Sequence, residues 1–313
     1  MMKKVLFVAA VAMSLIFSGC IKEDSTYKKL QPVQPGVNIY QGAMNQNFVA
    51  MQQANIGMRL ALLLGEAKKQ GKVEVEDLDN LVVDKVNVMD RLLGISTKLT
   101  KTATGYKIEF FPGYTDIDYY TREGVVLIDT HSTEQLVDAS TANPWSITFE
   151  DGLKMAYNGN TNGDNIILTG GSTEIYNEGD GTYAISIAGQ KSYISNAEKL
   201  VSDWNGRFTL KPENANFAFS DCVGKKFMFN GSANGATFNT YDGASSTRMS
   251  FSMSNGEYYG TTSIRTGKVT AELLDNYNFS LYPSPRVTVE WTVNEAGTKV
   301  QQTISYNGNT VTI

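Results

Sequence analysis

Seven Asn-Gly pairs and three Asp-Gly pairs punctuate the chain beyond residue 95, and no other feature constrains the fold as much. The Asn-Gly pairs begin at Asn158, Asn162, Asn205, Asn230, Asn234, Asn255 and Asn307, and the Asp-Gly pairs at Asp151, Asp180 and Asp242. Both dipeptides suit two-residue turns with positive φ, whose twist matches that of antiparallel strands. Between them, apolar and polar residues alternate at 106–110, 248–253 and 286–293. Period-two alternation gives a strand one buried and one wet face, as in antiparallel sheets. Strands do not alternate with helices here, so 95–313 reads as an all-β, antiparallel body.

The body contains an internal echo. Tyr157-Asn158-Gly159-Asn160-Thr161 recurs as Tyr306-Asn307-Gly308-Asn309-Thr310. Trp145 and Trp291 are spaced almost alike, and so are the Arg-x-Gly runs at Arg122 and Arg265. Collinear matches of this kind suggest two related β-modules. They would occupy 95–230, including a bridging segment, and 231–313. Reuse of turn dipeptides is the competing explanation.

Residues 37–94 read as a helical hairpin. From about Ala43 to Lys69, Met44, Phe48, Met51, Met58 and Leu62 recur at helical spacing, and Gly71 follows as a break. From about Leu78 to Leu93, Leu78, Leu81, Val82, Val86, Met89, Leu92 and Leu93 repeat the pattern. Asp77 is the candidate N-cap there, and Gly94 the stop. The fold class is therefore α+β and mainly antiparallel β: a helical hairpin, then a large sandwich-like body.

The first 20 residues supply an address. Lys3 and Lys4 precede an apolar run from Val5 to Phe17 that is too short to span a bilayer. It ends in Phe17-Ser18-Gly19-Cys20, which resembles the lipobox of bacterial lipoproteins. That resemblance implies a signal peptide over 1–19, cleavage before Cys20, and fatty acylation (palmitate and its kin) of Cys20. Phe17 departs from the usual Leu, Val or Ile. Ile21 stands where an inner-membrane retention Asp would be, which points to the outer membrane. Lys22-Glu23-Asp24 is similar to the acidic export signals of Bacteroidota surface lipoproteins, and also suits a plain solvated tether. Pro32, Pro35 and Gly36 extend the expected flexible leash over 20–36. The net charge of −5 becomes more negative once Lys3 and Lys4 are removed, which argues against nucleic acid as a partner.

Ser202-Asp203-Trp204-Asn205-Gly206-Arg207, Phe229-Asn230-Gly231-Ser232-Ala233-Asn234-Gly235 and the two Arg-x-Gly turns resemble segments of an uncharacterised family of Bacteroidota cell-envelope lipoproteins. The resemblance covers most of 95–313. It implies fold and address, and carries no activity.

Residues suited to chemistry are sparse. His131 is the single histidine, placed at the expected end of a strand without a Gly-x-Ser-x-Gly elbow. Cys222 lacks an evident activator. Gly65 to Lys72 has the wrong spacing for a phosphate loop, and Val73 stands where Ser or Thr is needed. Carboxylates abound at Asp116, Asp118, Glu150, Asp151, Glu174, Glu178 and Asp180, but they form no signature of a glycosidase pair. The oxygen-rich runs 158–165 and 177–180 lack an EF-hand pattern and suit turns. No catalytic, cofactor or metal site is expected.

Aromatic residues remain: Tyr119-Tyr120 and Tyr258-Tyr259 precede the two Arg-x-Gly runs, and one ring of each pair must point outward from a strand. They are the candidate contact residues for a glycan, peptide or protein, unless they cover a sheet face from within. The expected function is non-enzymatic binding or adhesion at the outer membrane, through a lipid anchor. Alternatives are a fimbrial or surface-layer subunit donating its last strand, 309–313, and an envelope glycan hydrolase using a carboxylate pair.

Overall fold

A computed structural model describes residues 30–72, 78–83, 85–95, 97–114, 120–131, 139–157, 166–194, 202–212, 226–238, 246–259, 263–274, 280–297 and 299–313. One long helix, α1 (Gln34–Lys69), leads the fold, preceded by a tight turn at Gln31–Val33. The helix starts well before Ala43, because Pro35 falls in the first turn. There its missing N–H is not needed and its φ is already helical. Part of the expected leash is therefore structured, with Leu30 and Val33 buried. At the other end, Gly71 has φ +68. Lys72 N–H donates to Ala67 O (2.9 Å) and Gly71 N–H to Lys68 O (3.1 Å), closing the helix in a Schellman motif.

The second helix of the expected hairpin is largely absent. Strands β1 (Val82–Val83) and β2 (Val86–Asn87) form a small hairpin, and only α2 (Val88–Leu92) is helical. Three valines there favour extended backbone, and Lys85 at φ +67 makes the turn. Asp77 lies outside the described residues. Asn87 is the N-cap instead, its Oδ1 accepting from Asp90 N–H at 2.9 Å.

The remaining strands form one antiparallel sheet in sequence order. Its first half contains β3 (Thr97–Lys101), β4 (Gly105–Phe110), β5 (Tyr120–Asp129), β6 (Trp145–Tyr157), β7 (Ile166–Thr169), β8 (Ser172–Asn177) and β9 (Tyr183–Ile194). Its second half contains β10 (Ser202–Pro212), β11 (Lys226–Phe238), β12 (Ser246–Tyr259), β13 (Ser263–Leu273), β14 (Arg286–Val293), β15 (Val300–Tyr306) and β16 (Asn309–Thr312). β7 and β8 both pair with β6 and with β9, so they act as one strand bent at Gly170-Gly171. The proposed module boundary at 230/231 falls inside β11, which pairs with β10 from Ser202↔Thr237 to Pro212↔Phe227. The two expected modules thus share one continuous sheet.

Some of the Asn-Gly and Asp-Gly pairs act as turns and others as bends. Asn307-Gly308, with φ +48 and +77, closes the two-residue hairpin between β15 and β16, and Asp180-Gly181 lies in the β8–β9 turn. Asp151, Asn205, Asn230, Asn234 and Asn255 lie within strands instead. Pairing registers shift between Trp204 and Gly206, between Phe229 and Gly231, and between Ser254 and Glu257, which marks β-bulges. Bulges bend strands and increase their twist. The Arg-x-Gly runs are also bends within β5 and β13 rather than turns, with Gly124 and Gly267 at φ +125 and +141. A Cβ on Gly267 would lie 2.9 Å from Gly256 Cα, so this crossing of β12 and β13 requires glycine. Asn158, Asn162 and Asp242 lie outside the described residues.

Bending lets the sheet lie over α1 from both halves. Gly36 rests on the Tyr306 ring of β15, and a Cβ on Gly57 would lie 2.9 Å from Ile147 Cδ1 of β6 and 2.8 Å from Ile175 Cδ1 of β8. Gln53, Asn55, Ile56, Met58, Arg59 and Leu60 are all buried, as befits a helix surrounded on every side. Tyr40 meets Trp291, and Phe208, Phe229 and Phe251 form an aromatic cluster with Trp204 and Tyr258.

Burial, with Tyr258 nearby, raises the Tyr40 phenol well above its ordinary pKa of 10.0. Burial also raises Tyr306, against the Ser284 backbone hydrogen bond. The folded state therefore holds these protons more tightly than the unfolded chain. Stability should be constant below about pH 9 and fall as the pH rises through about 10 to 11. Urea midpoints across that range check this, and Tyr40→Phe should flatten the decline.

Candidate functional site

Strict up-and-down order gives the sheet two ends. α1 begins at the proximal end: the Gln31–Val33 turn packs on β15 and β16, and Gly36 on Tyr306, the last residue of β15. The start of β3 and the β4–β5, β13–β14 and β15–β16 connections share this end. The β5–β6, β8–β9 and β14–β15 connections form the distal end.

The structure separates the candidate tyrosines. Tyr119 lies outside the described residues. Tyr120 opens β5 at the proximal end, half-buried, with the Arg122 guanidinium 5.9 Å from its ring centroid. Tyr258 and Tyr259 close β12 at the distal end, so the pairs build no duplicated surface. Tyr258 is buried, meeting Phe229 edge-on at 6.0 Å. The bulge between Ser254 and Glu257 explains this. Met249, Phe251 and Met253 face the core before it, and the alternation then slips by one residue, turning Tyr258 inward.

Several groups that suggested chemistry have structural employment. Arg207 donates to Tyr176 OH (2.8 Å) and to Glu178 Oε1 (3.1 Å). Lys211 donates to Asp180 Oδ2 at 2.7 Å. Lys211 and the hydroxyl and N–H of Thr182 hold the Asp180 carboxyl well below the usual range. Asn177 Oδ1 accepts from Gly179 N–H (2.8 Å) and Asp180 Oδ1 from Thr182 N–H (3.0 Å), so the oxygens of run 177–180 build the turn itself. Glu150 and Glu174 are exposed on strands, and Asp151 lies within β6. Asp116, Asp118, run 158–165, Cys20 and Cys222 lie outside the described residues. Among those described, no three His, Cys, Asp or Glu residues gather as a metal site, and no helix is long and apolar enough to cross a membrane.

His131 follows β5 at φ +67. Its Nε2 lies 2.8 Å from Pro144 O, which can only accept, so Nε2 carries the proton. In the interior, Thr173 Oγ1 donates to Gln53 Oε1 (2.7 Å), while Arg59 donates to Asn55 Oδ1 and to Leu92 O, each at 3.1 Å. Gln53 and Asn55 are two residues apart on α1, so these are networks on different faces rather than one polar pocket.

Two surfaces remain. The distal end carries the polar patch of Tyr176, Glu178, Asp180, Arg207 and Lys211. The proximal end carries Phe111 and Tyr114, exposed in the β4–β5 connection and not singled out by the sequence reading. Their signal was the second Phe in Phe110-Phe111-Pro112-Gly113, where the strand must stop. The chain matches no protein-family profile, no curated protein and no solved structure.

Proposed function

We propose that the chain is a lipid-anchored protein of the outer membrane that acts as a non-enzymatic binding module. Its contact surface is the distal polar patch, and its partner is a glycan, peptide or protein of the envelope. One observation carries this reading: the described chain begins at Leu30 on the proximal end, ten residues after Cys20. Acyl chains on Cys20 would leave the distal connections facing away from the bilayer. The patch there combines a Tyr ring with charged hydrogen-bonding groups, a combination suited to polar ligands.

Two alternatives have less support. β16 pairs within its own sheet, Thr303↔Thr312 to Tyr306↔Asn309, rather than standing free for donation. Glu178 and Asp180 are tied to cations rather than facing each other across a cleft.

A thermal-shift screen of the Cys20→Ser chain against envelope glycans and peptides tests the reading. A ligand that raises Tm with the intact patch and loses its effect in Arg207→Ala supports it. Uniform absence of stabilisation overturns it. Labelled palmitate fed to the native host should enter the wild-type chain and not Cys20→Ser.

A further inference from the structure

We propose that the proximal end is a bilayer-facing edge, with Ile95, Phe111, Tyr114, Leu274 and Leu281 entering the interfacial layer of the lipid. Among the described residues the exposed large hydrophobics are these five together with Val82 and Val86, which lie on the small β1–β2 hairpin. The five are between 45% and 68% exposed. Singly, such residues are ordinary on a protein surface. Their placement is not, because the strands they flank lie far apart in the sheet order and yet all five sit at one end. Ile95 precedes β3, Phe111 and Tyr114 follow β4, Leu274 follows β13 and Leu281 precedes β14. Apolar residues gathered on one side of a molecule mark a contact surface.

The tether decides for lipid over a protein partner, and here the inference rests on the acylation of Cys20 proposed above. α1 begins at this same end, and the chain from Cys20 to Leu30 can reach at most about 35 Å. The anchor therefore holds this end, and not the distal one, against the membrane. A tyrosine beside aliphatic and phenylalanine side chains suits the boundary between headgroups and acyl chains. The charge nearby is close to balanced: Lys98, Arg248 and Arg286 stand against Glu109 and Glu272, with Arg286 paired to Glu272 at 2.8 Å. Attachment is then apolar, and insensitive to salt and to lipid charge.

The three native tryptophans, Trp145, Trp204 and Trp291, are buried, so an introduced tryptophan reports its own surroundings. Phe111→Trp at the proximal end and Thr141→Trp in the distal β5–β6 connection would be placed in the full-length acylated protein, reconstituted in phosphatidylcholine vesicles with brominated chains. The expected result is blue-shifted, strongly quenched emission for Phe111→Trp, unchanged by salt, and water-like unquenched emission for Thr141→Trp. Equal, water-like emission from both, in protein that mass spectrometry shows to be acylated, overturns the inference and leaves the anchor standing. Absence of acyl chains on Cys20 in protein from its native host overturns both together.

Discussion

Replacing Phe229 by alanine should destabilise the protein by about 3–5 kcal/mol, the largest single loss expected from this core. The Phe229 ring is fully buried, stacked on Phe208 at 5.3 Å with planes 8° apart, and meets Tyr258 edge-on at 6.0 Å. It sits on β11 between Leu210 of β10 and Gly256 of β12, at the point where the register shifts. Its neighbours are held by strand hydrogen bonds on both sides, so the cavity left by truncation cannot collapse. Phe229→Leu keeps most of the volume and should cost under about 1.5 kcal/mol. A double-mutant cycle with Phe208→Ala should return a coupling of about 0.5–1.5 kcal/mol for the stacked pair. Urea unfolding measures all of these. Equal, small losses for Phe229→Ala and Phe229→Leu would mean that the ring does not carry the packing described.

The second large effect concerns Arg59, a cation buried within a helix that the sheet surrounds. Its guanidinium ties α1 to the end of α2 through Leu92 O, one of the carbonyls that a short helix leaves unpaired. Arg59→Ala removes this donor, releases Asn55 and opens a void, at an expected cost of about 3 kcal/mol. Arg59→Met retains the apolar stem and no longer buries a charge, so it should recover a substantial part of that loss. Hydrogen exchange separates the two contributions. Amides of α2 and of the β1–β2 hairpin should exchange faster in both variants, because both lose the bond to Leu92, whereas β10–β12 should be slowed or unchanged relative to Arg59→Ala when methionine fills the void. Wild-type protection of α2 in Arg59→Met would show that packing alone docks this segment.

The pH response has a different origin from either effect. Asp180 is fully exposed, so its depressed pKa reflects local hydrogen bonds that solvent screens. Tyr40 and Tyr306 resist ionisation because the fold buries them, and they set the alkaline limit of stability.

Much of the architecture could be read from residue order alone. Alternation marked segments 106–110, 248–253 and 286–293, and they became parts of β4 and β12 and the whole of β14, with Val287, Val289 and Trp291 turned inward. The apolar periodicity before Gly71 became α1, and Asn307-Gly308 closed the hairpin it implied. These features depend on neighbours within a few residues, so local chemistry specifies them. Where Asn-Gly became a bulge rather than a turn, the dipeptide could not discriminate, because both uses demand positive φ. The outcome depended on whether a partner strand ran alongside, as β10 and β12 do for β11 at Asn230. Tyr258 faced inward for the same reason, its side of the sheet set by a bulge upstream. The gathering of Ile95, Phe111, Tyr114, Leu274 and Leu281 at the end where α1 begins was likewise invisible in sequence. Residues nearly two hundred positions apart become neighbours in function only once consecutive strands have reversed direction and the sheet has bent around its helix.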